Sequence, residues 1–259
     1  MNISTRERGL TLIELAVALV IVAMLLGSIL VPLTRQVENR KVDETQRLLE
    51  QAREALLGYV AARGYFPCPA TATTNGAEPN ATTDTPAGPT DHNTGVCGTY
   101  YGFLPAVQLG FTPVDSQGFA VDGWGQTQNR IRYAIASQTS GGITLPFTRS
   151  GGMVAATISN LGQGDYLYIC ASASGVTAND CGTTASNRIT STAVAVIWSL
   201  GPNAATGGTS LNEAENLDSD RIFVSRVRSD ITGSVFDDMV TWIPVTTLIS
   251  RQISAGQLP

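Results

Sequence analysis

The sequence predicts an α+β fold: a long N-terminal helix, transmembrane in its first half, packed against an antiparallel β-sheet head. Three observations predict it. An almost uncharged apolar run occupies residues 10–33, an amphipathic helical pattern follows over 34–63, and short alternating segments separated by turns occupy much of 64–259. A polar leader at 1–9 precedes these three parts.

The apolar run at 10–33 contains one charged residue, Glu14. As a helix it would be about 35 Å long, enough to cross a bilayer core of about 30 Å. Arg6 and Arg8 precede it, which predicts a cytoplasmic N-terminus and a head on the far side of the membrane. A cleaved secretory signal is the alternative, but its apolar part is shorter and ends at a small-residue cleavage site. We therefore expect the helix to be retained.

Glu14 is an unfavourable residue in a membrane helix. A carboxylate inside an apolar span costs about 2.5–3.5 kcal/mol of insertion free energy, unless a partner group or a position near the membrane interface reduces this cost. The residues around it, Gly9 followed by Leu10-Thr11-Leu12-Ile13-Glu14, resemble the processing motif of type IV pilins and type II secretion pseudopilins. The resemblance implies that prepilin peptidase cuts after Gly9 and methylates Leu10. It also implies that Glu14 pairs with the N-terminal amine of a neighbouring subunit during assembly.

Two further residues of the run bear on this resemblance. Leu10 stands where the family usually has Phe, which is a conservative apolar departure. Pro32 resembles the proline that kinks the pilin helix near its middle.

The helical pattern changes after Leu33, where one face remains apolar and the other becomes charged. We expect a single helix to about Arg63, because no proline interrupts it after Pro32. Its apolar stripe is suited to packing under a sheet and consists of Val37, Leu48, Leu49, Ala52, Ala55, Leu56, Tyr59 and Val60.

The head begins with a polar segment at 69–96 that has no apolar periodicity, which predicts a long loop. Cys68 and Cys97 flank it, and Cys170 and Cys181 flank a second polar stretch. Four cysteines allow three connectivities, and an extracytoplasmic head favours disulfides. We favour nearest-neighbour pairing; zinc is the alternative, although no CxxC and no local histidine pair is present.

Strand-like segments follow Cys97. The alternating ones and one continuous apolar run are expected to form the sheet: Arg130–Ser137, Tyr166–Ala171, Ala193–Leu200, Arg221–Val227 and Met239–Ile243. The run Ala193–Leu200 suits a central strand because it is apolar at nearly every position.

Three head segments resemble major pseudopilins of type II secretion: Asp122-Gly123-Trp124-Gly125 with Tyr133, then 198–203 with Gly207-Gly208, and 237–242. In that family these loops bind calcium, but here Asn203 stands where an acid is usual. By chemistry alone, Asp237 and Asp238 could hold a hard cation with an acid from the preceding insert, namely Glu213, Glu215, Asp218 or Asp220. A solvated acidic loop is the alternative that we favour, so no cofactor is expected.

Composition excludes several functions. The formal charge is −5 and the pI is about 4.9, which argues against nucleic-acid binding. His92 is the only histidine, and we expect it to be a solvated loop residue. No nucleophile elbow, Walker loop, dinucleotide-binding glycine pattern or HExxH motif is present. Asp237 and Asp238 should point to opposite faces of a strand and so fail to form an acid–base pair; we expect no enzyme.

The sequence thus predicts a subunit, of minor rather than major type, of a type II secretion pseudopilus or type IV pilus. Its expected partners are prepilin peptidase, other pilin or pseudopilin subunits and the inner membrane, which it crosses once. Its head would lie in the periplasm or on an extracellular filament. One alternative is a tip subunit whose head binds a surface or a secreted substrate through loop 69–96. Another is a signal-anchored periplasmic domain that never polymerises.

Overall fold

The computed structural model describes residues 11–79, 90–208, 210–231 and 233–258, and for 25–35 it describes the backbone only. The predicted leader at 1–9, with Gly9, and Leu10 lie outside these residues, as does part of loop 69–96. The chain divides into two units, Met1–Val42 and Asp43–Pro259. Each unit is described separately below.

Helix α1 spans Leu12–Arg63 and continues through Pro32, so the predicted single helix is confirmed over the described residues. In the first unit, the side chains from Leu12 to Met24 are exposed. Within the described part of the chain, no helical stretch is both long and apolar enough to span a bilayer. Leu10 and the side chains of 25–33, which belong to the predicted membrane segment, lie outside that part.

In the second unit, α1 packs beneath the sheet. The predicted stripe is buried here at Leu48, Leu49, Ala52, Leu56 and Val60, with Leu57 in addition. The stripe prediction was wrong for Val37, which is 47% exposed, because the buried positions of the helix begin at Thr45. A helix with one apolar face against a sheet is a two-layer α+β architecture.

In the part of the chain that the structure describes, the sheet has six strands: β1 (Tyr101–Phe103), β2 (Arg132–Ile135), β3 (Leu167–Cys170), β4 (Arg188–Ser199), β5 (Ile222–Val224) and β6 (Met239–Pro244). Their order is β1-β2-β4-β3-β5, and β6 also pairs with β4. Each of the five segments predicted as strands overlaps one of these strands, although β4 begins at Arg188, before its predicted segment. The twelve-residue β4 is central, as its apolar run predicts, and pairs with β2, β3 and β6.

The prediction of a purely antiparallel sheet was wrong for one pair. Strands β3 and β5 run parallel, with Tyr168 opposite Ile222 and Cys170 opposite Val224. The chain between them is long and includes β4, which returns it to the starting end of β3 before β5 begins. Parallel pairing requires such a long crossover, so the sheet is mixed.

Among the described residues, five shorter α-helices accompany the sheet: α2 (Ala106–Leu109), α3 (Gly152–Ala156), α4 (Ile158–Leu161), α5 (Leu211–Glu215) and α6 (Val245–Ser254). Helix α6 packs beside α1, where the Gln252 side chain donates a hydrogen bond to the Val60 carbonyl at 2.9 Å. Arg251 pairs with Glu54 at 2.9 Å on the exposed side of the same contact. The sequence pattern predicted neither α6 nor β1.

Candidate functional site

The N-terminal end of α1 is closed by a reciprocal contact between Thr11 and Glu14. Both the backbone N–H and the hydroxyl of Thr11 donate to Glu14 Oε2 at 2.9 Å, and the Glu14 N–H donates to Thr11 Oγ1 at 3.4 Å. This is a capping box, in which two side chains satisfy backbone donors of the first turn. The glutamate singled out by the sequence therefore stands in the first turn of the helix, with its carboxylate bonded to Thr11.

The first turns of α1 present apolar side chains on every face. Their exposed fractions lie between 50% and 88% at Leu12, Ile13, Leu15, Val17, Leu19, Val20, Ile21, Val22 and Met24. A helix that is apolar all round is stable only when lipid or other protein covers it. This segment is consequently an interaction surface along its whole described length.

In the head, two of the segments that carry the sequence resemblance meet through Asp122. Its carboxylate accepts hydrogen bonds from the Trp124 N–H at 2.8 Å, from Asn129 Nδ2 at 3.1 Å and from the Ser199 hydroxyl at 2.5 Å. Asn129 also donates to the Gly201 carbonyl at 2.7 Å. The turn at 122–125 is thereby fixed to the end of β4.

The third such segment reaches the same place at Gly201. This residue has φ of +65°, and a Cβ added to it would lie 2.5 Å from the Asp237 carbonyl oxygen. Only glycine fits this close approach of two backbones without strain. All three segments therefore converge at the end of β4, where β6 begins.

Three buried carboxylates gather beside this junction: Glu213, Asp237 and Asp238, whose ligand oxygens lie within 4.8 Å of one another. Asn203 Nδ2 donates to Glu213 Oε1 at 2.9 Å, and Asn216 Nδ2 donates to Asp238 Oδ2 at 2.8 Å. The expectation that Asp237 and Asp238 diverge was wrong, because both precede the first residue of β6 and strand alternation does not apply to them. Asn203 is thus brought to the acids, as the resemblance implies.

Burial and, to a lesser degree, the nearby carboxylates of Glu213 and Asp237 raise the pKa of Asp238 to about 8, against the hydrogen bond from Asn216 and the charge of Arg132. Carboxylate oxygens are the ligands that calcium prefers, and a divalent cation would relieve the repulsion between them. The donor set therefore fits a hard cation held by Glu213, Asp237 and Asp238. A second acidic trio, Glu215, Asp218 and Asp220, is more exposed.

The cysteines form two disulfides, Cys68–Cys97 and Cys170–Cys181, which is the nearest-neighbour connectivity favoured by the sequence. The first closes the segment that includes loop 69–96.

Inside that loop, His92 contacts Glu78 at 2.8 Å and the Thr148 carbonyl at 2.8 Å, and its ring lies 4.2 Å from that of Tyr65. The prediction of a solvated His92 was wrong, because these contacts leave its side chain only 21% exposed.

Residues 4–30 match the family model of the prokaryotic N-terminal methylation motif. The chain carries a prepilin-type motif. This is the motif of type IV pilins and pseudopilins, and it implies processing by prepilin peptidase and assembly with other pilin-type subunits. No curated protein and no solved structure matches the chain significantly.

The prepilin-type motif includes Gly9 and Leu10, the predicted cleavage and methylation positions, both of which lie outside the described residues. It also includes Glu14, which the structure places in the capping box. The motif suggests a structural protein with an N-terminal membrane anchor, rather than an enzyme.

Sequence reasoning missed one connection in the head. Glu78, which pairs with His92, lies in a loop without periodicity, and Thr148 is far along the chain. The only available signal was that a single histidine and an acid share a segment closed by cysteines.

Proposed function

We propose that this chain is a structural subunit, of minor type, of a type II secretion pseudopilus or a type IV pilus. The observation that carries the proposal is the prepilin-type motif at 4–30, with Gly9 and Glu14 at the positions that the resemblance implies for cleavage and assembly. The apolar side chains exposed along α1 support it, because a filament core of bundled helices would cover them.

In the proposed mechanism, prepilin peptidase removes residues 1–9 while the helix 10–33 crosses the inner membrane once, with its N-terminus in the cytoplasm. The helices of successive subunits then bundle. Glu14 sets the register by pairing with the N-terminal amine of the neighbouring subunit, which offsets the cost of burying a carboxylate. The head stays in the periplasm or on the outside of an extracellular filament.

The decisive experiment replaces Gly9 with valine in cells that contain prepilin peptidase. The wild-type protein should yield a mature chain beginning at Leu10, whereas the Gly9→Val variant should retain residues 1–9, as shown by N-terminal sequencing and intact mass. Ile3→Val serves as the matched control in the leader and should be cut normally. A Gly9→Val protein with the wild-type mature N-terminus would contradict the proposal.

A non-polymerising, signal-anchored domain is the first alternative. Val20 is 54% exposed on the apolar helix, so a Val20→Cys variant of a polymerising subunit should give oxidative cross-links between copies in the membrane. Val154→Cys, also about half exposed but in the head, serves as the control for random collision. Absence of cross-links through position 20 would favour the signal-anchored domain.

A tip or minor subunit that recognises a surface or a secreted substrate is the second alternative, and loop 69–96 motivates it. Deleting residues 81–88 leaves both cysteines and the Glu78–His92 contact in place. Loss of adhesion or secretion with intact filaments would favour recognition by the loop. Unchanged adhesion and secretion would favour a passive spacer.

We also propose a calcium ion at Glu213, Asp237 and Asp238, supported by their burial and mutual proximity. Calcium should raise the melting temperature of the wild-type protein above its value in EDTA, because a ligand of the folded state stabilises it. Asp238→Asn should lose this increase, and Asp218→Asn, in the more exposed trio, should keep it. Equal responses of wild-type and Asp238→Asn proteins would contradict the proposal.

A further inference from the structure

The outer edge of β5 is covered by a side chain and not by another strand. In the described part of the chain, β5 pairs with β3 alone and lies at the end of the sheet order. The Arg221 carbonyl and the Ser225 N–H bond to β3, and backbone groups alternate in direction along a strand, so those of Val224 point outward. Asn216 occupies this outward side. Its Oδ1 accepts from the Val224 N–H at 2.8 Å, and its Nδ2 donates to the Val224 carbonyl at 3.1 Å.

The Asn216 side chain takes the place of one residue of a neighbouring strand. Two residues that face each other in an antiparallel ladder exchange both of their backbone hydrogen bonds, and the Asn216 amide makes the same pair of bonds with Val224. The orientation of the amide follows from this contact, because the reversed amide would place its NH2 group against the Val224 N–H. Asn216 is fully buried, so it protects this position of the edge from pairing with another chain.

The same amide also bonds to one of the three buried carboxylates Glu213, Asp237 and Asp238, which we call the buried trio. Asn216 Nδ2 donates to Asp238 Oδ2 at 2.8 Å, and the Asn216 backbone N–H donates to the Glu213 carbonyl at 3.1 Å. The amide nitrogen therefore has one bond to the β5 edge and one to the buried trio. Because a buried polar group that loses its partner is destabilised, a displacement of Asp238 also disturbs the contact of Asn216 with Val224.

We propose that Asn216 is a positioning residue that couples cation binding at the buried trio to closure of the β5 edge. The inference rests on the calcium site of the proposed function and deepens it. Repulsion among the three carboxylates opposes the geometry in which Asp238 accepts from Asn216, and a divalent cation relieves that repulsion. Asn216 transmits the resulting constraint to Val224. By linkage, a closed edge strengthens calcium binding by the same factor.

Asn212 provides a matched control for a merely structural role. It is buried on the same helix, α5, and its Oδ1 accepts from the Ala173 N–H at 2.8 Å. Its side chain thus anchors the same segment to the head, but its hydrogen bond is to neither the buried trio nor the β5 edge. If Asn216 were only an anchor, the two asparagines would behave alike when each is replaced by alanine.

The first experiment measures hydrogen exchange of the full-length protein in detergent micelles, in calcium chloride and in EDTA, with mass-spectrometric fragmentation to resolve single amides. Calcium should slow exchange of the Val224 N–H about tenfold more than that of the Phe103 N–H, a factor typical of coupled sites. Phe103 lies on β1, the strand at the other end of the sheet order, and its N–H donates to the Ala70 carbonyl at 2.8 Å. Equal slowing of the two amides would overturn the proposal, because it would reflect only a general gain in stability.

The second experiment compares two variants by calcium titration and by the same exchange measurement. Asn216→Ala should weaken calcium binding about tenfold and abolish the response of the Val224 N–H to calcium, whereas Asn212→Ala should retain both. Wild-type calcium affinity in Asn216→Ala would overturn the proposal, as would an equal loss of affinity in Asn212→Ala.

A third variant decides the question even if Asn216→Ala fails to fold. Asp238→Asn retains a side-chain oxygen that can accept from Asn216, but it removes a charged ligand of the cation. The Val224 N–H of this variant should therefore exchange at one rate in calcium and in EDTA. A response to calcium of wild-type size in Asp238→Asn would contradict the coupling.

The melting temperature in calcium and in EDTA separates the inference from the site on which it rests. If calcium raises the wild-type melting temperature while Val224 and Phe103 respond equally, the coupling is wrong and the calcium site stands. If calcium changes neither the melting temperature nor the exchange of Val224, the calcium site and the coupling are both wrong. Leader removal after Gly9 reports on the subunit role and is independent of either result.

Discussion

Glu78 Oε2 and His92 Nε2 lie 2.8 Å apart, and the other ring nitrogen of His92 lies 2.8 Å from the Thr148 carbonyl oxygen. A carbonyl oxygen only accepts hydrogen bonds, and an ionised carboxylate also only accepts. Both ring nitrogens must therefore carry a proton when both bonds form. The geometry holds His92 as an imidazolium, with the Tyr65 ring beside it.

This arrangement gives the stability of the head a pH dependence. Burial alone lowers the pKa of His92, but the bonds to Glu78 and the Thr148 carbonyl, with the charges of Glu78 and Asp91, raise it above its ordinary value of 6.5. The stabilisation is thus complete below pH 6.5 and is lost as pH rises through the elevated pKa. At pH 6, His92→Gln should lower the free energy of unfolding by about 2 kcal/mol.

The difference in melting temperature between wild-type and His92→Gln proteins, measured from pH 5.5 to 9, checks this prediction. The difference should shrink at the alkaline end. Taking a difference also removes the contributions of Asp238 and Glu215, whose raised pKa values act in the same direction. A gap that is constant with pH would contradict the imidazolium assignment.

Substitutions at Glu14 separate its two roles. Glutamine can still accept the Thr11 N–H, because it retains a carbonyl oxygen, but it carries no charge. Alanine removes both the cap and the charge. We expect filament yield to fall on the order of tenfold or more in both variants, since a charge-assisted bond contributes about 1.5–3 kcal/mol.

The measurement is the amount of protein recovered in sheared or sedimented filaments, normalised to the processed protein in the membrane. Normal yield from Glu14→Gln would show that the charge is dispensable. Normal yield from Glu14→Ala would remove the assembly role of this residue altogether.

The two disulfides should differ in their effect on stability. Cys68 and Cys97 are 29 residues apart, and Cys170 and Cys181 are 11 apart. Because the longer loop loses more entropy on closure, replacing the first pair with alanines should lower the free energy of unfolding by about 3.5 kcal/mol and the second by about 2.8 kcal/mol. Chemical denaturation of the two double variants measures both; the reverse order would contradict the loop-closure account.

Helix α1 should depend on Leu56 for its attachment to the sheet. Leu56 is fully buried in the core, so Leu56→Ala should cost about 2–5 kcal/mol of unfolding free energy. Val37→Ala is the matched control on the same helix, because Val37 is 47% exposed and should change stability little. Equal losses in the two variants would contradict the packing described for the second unit.

Periodicity predicted the parts of the fold that repeat over several residues. The stripe from Leu48 to Val60 was predictable because a helix buried on one face has apolar residues at helical spacing. The apolar run of β4 was predictable because a strand buried on both faces is apolar at nearly every position. Strand β1 is three half-buried residues and leaves none. Helix α6 left a weak signal, because Val245, Leu248 and Gln252 are buried at helical spacing but Gln252 is polar and interrupts the apolar pattern.

Relationships between distant residues were not readable in the same way. The parallel direction of β5 depends on the long connection from β3, and the contact of His92 with Thr148 joins positions 56 residues apart. The convergence of Asp237 and Asp238 on Glu213 arises from an irregular segment before β6. The local sequence identified these acids as candidate cation ligands, but which of them lie close together is determined by the tertiary fold.

The connectivity of the disulfides has a consequence for the order in which an exported head can mature. The two disulfides neither overlap nor enclose one another along the chain, because both cysteines of the first pair precede both cysteines of the second. Each cysteine therefore pairs with the next or the preceding cysteine along the chain. If the head crosses the membrane from its N-terminal side, the first disulfide can form before the later strands of the sheet have been translocated. In the proposed topology, oxidation would keep pace with translocation and would need no later exchange of partners.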